Sequence, residues 1–109
     1  MKPTTVIETQ EYKTQASKLL PPATNDAIID YIARNPEAGA LVAGTGGVRK
    51  LRWATDKGKS GGVRVIYYFH SEDKPIFLFT VYAKSARDNI SKAGRNSLKK
   101  VVAKIFDSY

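Results

Sequence analysis

The chain has no cysteine among its 109 residues, which removes disulfides, thiolate nucleophiles and cysteine-type zinc sites together. It has one histidine, His70, so a metal centre would have to be assembled from that ring and scattered carboxylates, a poor ligand stock. No stretch approaches the roughly 20 apolar residues of a membrane span. The N-terminus, Met1-Lys2-Pro3-Thr4-Thr5-Val6-Ile7-Glu8, carries no apolar run of signal-peptide length. We therefore expect a cytoplasmic protein with no membrane contact and no cofactor. Acids are scarce as well, 10 Asp and Glu against 18 Lys and Arg. Glycosidase and two-metal nuclease chemistries lack the paired carboxylates they need.

What is present fits one globular domain over residues 1–109, with 42% hydrophobic and 26% charged residues. The formal charge of +8 is unevenly spread: −1 over residues 1–46, +5 over 47–64, −1 over 65–83 and +5 over 84–109. A single basic run reads most simply as a solvated surface. Two separated basic blocks that a fold can bring together point to nucleic acid.

The first block sits in the stretch around which the chain is organised. Residues 46–69 read as two strands joined by a Gly/Lys/Ser loop, with six Lys or Arg and one acid, Asp56, between positions 46 and 64. In Val48 to Ala54, Leu51 and Trp53 share one face while Lys50 and Arg52 share the other. Val63, Val65, Tyr67 and Phe69 alternate with Arg64, Ile66 and Tyr68 in the next run. A third strand from Ile76 to about Lys84 sets Phe77, Phe79, Val81 and Ala83 against Leu78, Thr80, Tyr82 and Lys84. Short links favour an antiparallel meander.

Before the meander, Thr4 to Glu8 is a short β-branched run suited to a strand. Thr9 can cap a helix burying Tyr12, Ala16, Leu19 and Leu20, which Pro21-Pro22 ends. A second helix is expected from near Thr24 or Asn25 to Arg34, burying Ile28, Tyr31 and Ile32. Asn35 to Gly47 reads as a loop. The last helix, capped by Ser91, stacks Leu98, Val101, Val102, Ile105 and Phe106, with Arg95, Lys99, Lys100 and Lys104 on the remainder. The fold class is α+β: a small antiparallel sheet, formed by the N-terminal strand and the three-strand meander, packed on an N-terminal helical hairpin and a C-terminal helix.

Folding the meander gathers the charges. A symmetric Ser71–Pro75 turn pairs residues whose numbers sum to about 146, which sets Arg64 beside Tyr82 with Lys84 diagonal to it. The 55–62 loop places Arg64 near Trp53, with Lys57 and Lys59 just beyond and Arg49, Lys50 and Arg52 on the entering strand. His70 falls at the opposite end, so chemistry centred on histidine is disfavoured. Gly58-Lys59-Ser60 echoes a phosphate-binding loop, but Trp53 stands where its leading glycine belongs and a strand follows. Gly44-Thr45-Gly46-Gly47 is not a dinucleotide fingerprint. Turn chemistry accounts for both glycine pairs.

The element order, together with Asn35-Pro36-Glu37-Ala38-Gly39, residues 44–53 (GTGGVRKLRW), residues 58–68 (GKSGGVRVIYY) and Tyr82-Ala83-Lys84, resembles the RelE/HigB branch of the RelE/ParE toxin superfamily over nearly the whole chain. The resemblance implies the toxin of a type II toxin–antitoxin system that enters the ribosomal A site and cuts mRNA. Its partners would be ribosome, mRNA and a cognate antitoxin carrying a helix-turn-helix DNA-binding domain, through which alone it would reach operator DNA. The catalytic candidates it points to are Arg64, Tyr82, Lys84, Lys57 and Lys59, with Arg49, Lys50, Arg52, Arg87, Lys99 and Lys100 as RNA- or ribosome-binding cations.

Two features depart from the pattern. Gly94 occupies the usual position of a capping-box Glu, so a weak or delayed helix start is expected. The final helix holds no tyrosine before Tyr109, which leaves Tyr82 as the candidate phenol. Arg64 suits the charge of a phosphorane because its planar fork bonds two oxygens at once. Lys84 or a loop lysine suits the base where neighbouring cations disfavour its protonated form. A non-cleaving RNA- or ribosome-binding module and a ParE-like gyrase inhibitor are the alternatives.

Overall fold

The computed structural model describes residues 3–55, 62–87 and 89–108. The elements run β1 (Val6–Glu8), α1 (Gln10–Leu19), α2 (Pro22–Arg34), β2 (Ala40–Leu41), β3 (Val48–Trp53), β4 (Val63–Tyr68), β5 (Ile76–Ala83) and α3 (Lys92–Ser108). One five-stranded sheet in the order β1-β5-β4-β3-β2 carries the helical hairpin α1–α2 on one face and α3 on the other.

The expected meander β3–β4–β5 is antiparallel. Two edges depart from expectation. β1 joins β5 in parallel, Val6 opposite Ile76, because the helices between them carry the chain across the sheet. Within the stretch read as a loop, Ala40 and Leu41 pair with Lys50 and Arg49 as a short antiparallel edge. Beyond Glu8, Thr9 takes over the outer edge of β5. Its hydroxyl donates to Leu78 O at 2.8 Å and also accepts from the Tyr12 amide, capping α1 as expected.

The hairpin face carries the main apolar core. Tyr12, Ile28 and Ile32 pack on Leu51, Val65, Tyr67 and Leu78. Helix α2 begins at Pro22, earlier than expected, because proline is tolerated at the first helical position, where no amide partner is needed. Tyr67 locks the approach to β2: its hydroxyl donates to Pro36 O at 2.7 Å and accepts from the Gly39 amide at 2.9 Å. Burial pushes the phenols of Tyr12, Tyr67 and Tyr68 up, so they stay protonated and serve packing.

Strand β5 breaks its alternation. Arg64 faces Tyr82 and Ile66 faces Thr80, but Tyr67 faces Leu78, so a bulge at Phe79 shifts the register. Val81 therefore joins Leu78 on the hairpin face and Tyr82 joins Phe77 and Phe79 on the α3 face, the reverse of a strict period of two. Ser91 caps helix α3 as expected, its Oγ accepting from the Gly94 amide at 3.0 Å, and the helix begins at Lys92 without the delay expected from Gly94, because the Gly94 amide itself makes the capping bond. Val102 is buried and Leu98 and Ile105 pack beside it, while Val101 and Phe106 of the expected stripe remain exposed. Among the described residues no helix is long and apolar enough to cross a membrane.

Candidate functional site

The α3 face changes character along its length. At one end Val48, Tyr68 and Phe77 form an apolar floor under α3. Two pleats along, Lys50 stands beside Ile66, and at the far end Arg52, Arg64 and Tyr82 lie abreast on β3, β4 and β5. In-register partners project to the same side of a sheet. The strand chemistry of β-branched and aromatic residues thus delivers two guanidiniums and a phenol to one rim.

Arg64 is the exceptional residue. It lies on the central strand and is 6% exposed. Its Nη1 donates to Val63 O at 3.3 Å, and its Nε is buried with no hydrogen-bond partner among the described residues. Gly62 lies beside the head group: a Cβ there would be tight against Trp53 O at 3.3 Å and in ordinary contact with Nη1 at 3.5 Å. A buried guanidinium normally keeps a carboxylate. Here the ion pairs among the described residues are Arg34 with Asp30 and Arg49 with Glu37, so Arg52, Arg64, Lys84, Arg87 and Arg95 have no carboxylate partner there. Charge held without a counterion is charge available to an anion.

Tyr82 is 5% exposed and packs with Ile90 in the α3-side core. The Arg87 guanidinium carbon sits 4.8 Å above its ring centroid, a cation–π arrangement that covers the face on which a base would stack. Lys84 follows β5; its amide donates to Gly62 O at 2.9 Å, extending the β4–β5 ladder, and its side chain is exposed. Lys57 and Lys59 lie outside the described residues.

The other expected cations divide. Lys50 is half-buried and donates to Asn89 Oδ1 at 3.1 Å, and Arg52 is exposed beside it. Arg49 belongs elsewhere: in register with Tyr67, it donates to Gly39 O at 2.8 Å and Glu37 O at 3.1 Å and fastens the β2 loop. Lys99 and Lys100 are exposed on α3 and make no hydrogen bond or ion pair among the described residues. Trp53 faces Val63 rather than Arg64, and its ring meets Tyr31 edge-on at 5.5 Å on the hairpin side. The register between β3 and β4 pairs Arg64 with Arg52 instead.

Sequence reading left Arg95 and Asn89 out of the site. Both line a cleft of about 570 Å³ shared with Lys50, Arg52 and the Ala38–Ala43 segment. Arg95 Nη1 donates to Ile90 O at 3.2 Å. Asn89 lies in an irregular stretch without periodicity, so no pattern signals it. His70 is at the remote end, its ring 4.8 Å from Phe106 and 6.3 Å from Tyr68. It is about 20 Å along the strand from Arg64. Among the described residues no group of three or more His, Asp or Glu could hold a metal ion.

Fold and site together define an α+β domain with a cationic rim on one sheet face. The model of the RelE toxin of the RelE/RelB toxin–antitoxin system matches residues 8–109, and the chain belongs to that RelE toxin family. Two solved structures share the fold. A chain of the toxin–antitoxin complex RelBE2 from Mycobacterium tuberculosis is 22% identical with a TM-score of 0.57, the match covering 74% of this chain and 98% of that one. A mutant of the E. coli toxin RelE in the free state is 17% identical with a TM-score of 0.56, over 81% of this chain and 90% of that one.

Proposed function

We propose that this toxin is an mRNA endoribonuclease that acts on the ribosome and needs no metal ion. The observation that carries the reading is Arg64, a nearly buried guanidinium with no carboxylate partner among the described residues, flanked in register by Arg52 and Tyr82. RNA brings its own nucleophile. The 2′-hydroxyl attacks the adjacent phosphorus, the P–O5′ bond breaks as the O2′–P bond forms, and a 2′,3′-cyclic phosphate remains. The 2′ proton goes to a base, for which Lys84 or one of Lys57 and Lys59 is the candidate, and the departing O5′ takes a proton from a second of these lysines in its ammonium form. Arg64 is placed to meet the charge that gathers on the phosphorane oxygens. Tyr82 acts through Arg87, which its ring holds over the rim. Lys50 and Arg52 continue the cationic path, and exposed Lys99 and Lys100 are available to ribosomal RNA.

The cationic rim also suits neutralisation by an antitoxin, and the RelBE2 structure is of a toxin–antitoxin complex. In this reading the antitoxin is a helix-turn-helix protein, operator DNA is reached through it, and the toxin works in the cytoplasm.

The test is Arg64→Ala and Lys84→Ala in a translating extract with mapped transcript ends. The parent is expected to leave transcripts cut in frame, and Arg64→Ala to slow cutting at least 100-fold, about the loss of one oxyanion donor. A variant that cuts as fast as the parent overturns its assigned role. Binding without cut transcripts would mark a non-cleaving module, and DNA-damage signalling on expression would mark a gyrase inhibitor.

A further inference from the structure

Strand β5 leaves its own register open in sequence. Residues 76–83 (IFLFTVYA) are apolar or aromatic at every position but Thr80, and the strand is packed on both sides, Leu78 and Val81 in the hairpin core and Phe77, Phe79 and Tyr82 in the α3 core. An alternation of polar and apolar residues would fix which face each side chain takes, and β5 has none. Strict alternation from Phe77 would set Val81 beside Arg64 and turn Tyr82, with Lys84 two residues on, to the hairpin side. The bulge at Phe79 reverses that outcome and brings Tyr82 opposite Arg64. The composition of the rim therefore depends on one extra residue.

What holds that residue lies on another element. β1 ends at Glu8, opposite Leu78, and Thr9 takes its place along the next part of the β5 edge. The Thr9 amide donates to Leu78 O at 3.1 Å, and its hydroxyl proton lies between Leu78 O at 2.8 Å and Phe79 O at 3.0 Å. On the other side of the bulge, the Thr80 hydroxyl donates to Glu11 Oε2 at 3.0 Å. The start of α1 thus grips the residue before the bulge, the bulged residue and the residue after it. A bulge leaves its extra residue outside the ladder, and the Thr9 side chain offers that residue a partner. We infer that Thr9 is a positioning residue for the rim: by holding the Leu78 and Phe79 carbonyls it keeps the β5 bulge in place, and with it Tyr82 and Lys84 on the face of Arg64. The inference rests on the RNA-cleaving reading and adds to it a residue outside the rim on which the reaction depends.

Thr9 also caps α1, its hydroxyl accepting from the Tyr12 amide at 3.2 Å, but the two roles use opposite properties of one group. Capping needs an acceptor, and holding the bulge needs a donor. Thr9→Asp keeps an acceptor for the cap and has no proton for the carbonyls. Thr9→Ser keeps both. Deletion of Phe79 supplies the complementary control: Thr80 then follows Leu78, and plain alternation puts Val81 and Tyr82 on the faces they occupy now, so the register no longer needs Thr9.

The test measures cleavage on programmed ribosomes, scored per folded molecule, and the NMR backbone contacts of Arg64 in the isolated protein. Thr9→Asp is expected to lower kcat about tenfold, as a small displacement of reacting groups does, with KM unchanged because Lys50, Arg52 and Arg64 keep their places. Its Arg64 contacts should move from Tyr82 toward Val81. Thr9→Ser should behave as the parent does, and in the chain lacking Phe79, Thr9→Asp should change kcat by less than about twofold, the mark of a coupled pair. The inference is overturned if Thr9→Asp keeps the parent's kcat and its Arg64–Tyr82 contacts, if the loss disappears once rates are scored per folded molecule, or if it persists in full without Phe79. Should the shortened chain not fold, the contrast between Thr9→Asp and Thr9→Ser decides alone. A parent that cuts nothing sinks the nuclease reading, while the Arg64 contacts still report on the bulge. A parent that cuts, with Thr9→Asp cutting equally well in an unchanged register, sinks the positioning role alone.

Discussion

The two faces of the sheet are built from the same strands and serve opposite ends. On the hairpin side, Leu51, Val63, Val65, Tyr67, Leu78 and Val81 meet Tyr12, Ala16, Ile28 and Ile32 in one apolar cluster. On the α3 side the apolar cluster runs from Val48, Tyr68 and Phe77 to Tyr82 and Ile90, but it shares the face with a buried Arg64 and an exposed Arg52. One face stores the free energy of folding, and the other gives part of its area to charge. The difference teaches where to look for function in so small a domain. The proposed site begins where that apolar cover gives way to charge.

Substitutions at equivalent depths should then act on different quantities. The largest stability effect is expected on the hairpin face. Leu78→Ala, at a fully buried position, should cost about 3 kcal/mol in urea unfolding and leave the cutting pattern unchanged while the protein is folded. Altered cut sites would show that the two faces are not separable. Arg64→Leu should move the other way, losing cleavage while gaining about 1 kcal/mol of stability, because the orphaned Nε goes and the packed stem is kept. A lower urea midpoint for Arg64→Leu would mean that the guanidinium supports the fold, and the contrast between faces would fail.

Much of this division was legible before any coordinates. Period-two alternation in residues 48–53 and 63–68 is strong, and the expected pairing of Arg64 with Tyr82 is present, although it is the bulge that restores it: the pairs next to the turn, Tyr68 with Phe77 and Tyr67 with Leu78, are one residue out of that register. The rest depends on three-dimensional competition that a pattern does not record. A bulge at Phe79 inverts Val81 and Tyr82, and nothing in the local residue types marks it. β2 is two residues long in a Gly/Ala-rich stretch and exists because β3 offers it an edge. Alternation already sets Arg49 on the face opposite Lys50 and Arg52, but does not reveal the Gly39 and Glu37 carbonyls that claim it there. Asn89 enters the cleft through loop geometry alone.

The smallest effect probes the seam between the apolar cluster and the charge. Gly94 is the third residue of α3, where an alanine should stabilise a helix by about 1 kcal/mol. In place, a Cβ at 94 would come within 2.8 Å of Ile90 Cγ2 and 3.2 Å of Ser91 Oγ. Ile90 is buried against Tyr82, so it cannot simply swing away. Crowding in a packed cluster costs about 1–3 kcal/mol, which exceeds the helix gain. Gly94→Ala should therefore lower stability by about 1 kcal/mol, the net of those two opposing effects. Ile90→Leu removes the branch that clashes, and in that background Gly94→Ala should become neutral or stabilising, a change of sign that a double-mutant cycle reads directly. If Gly94→Ala stabilises the unmodified chain, the glycine is not there to seat Ile90 beside Tyr82, and the seam is looser than its geometry indicates.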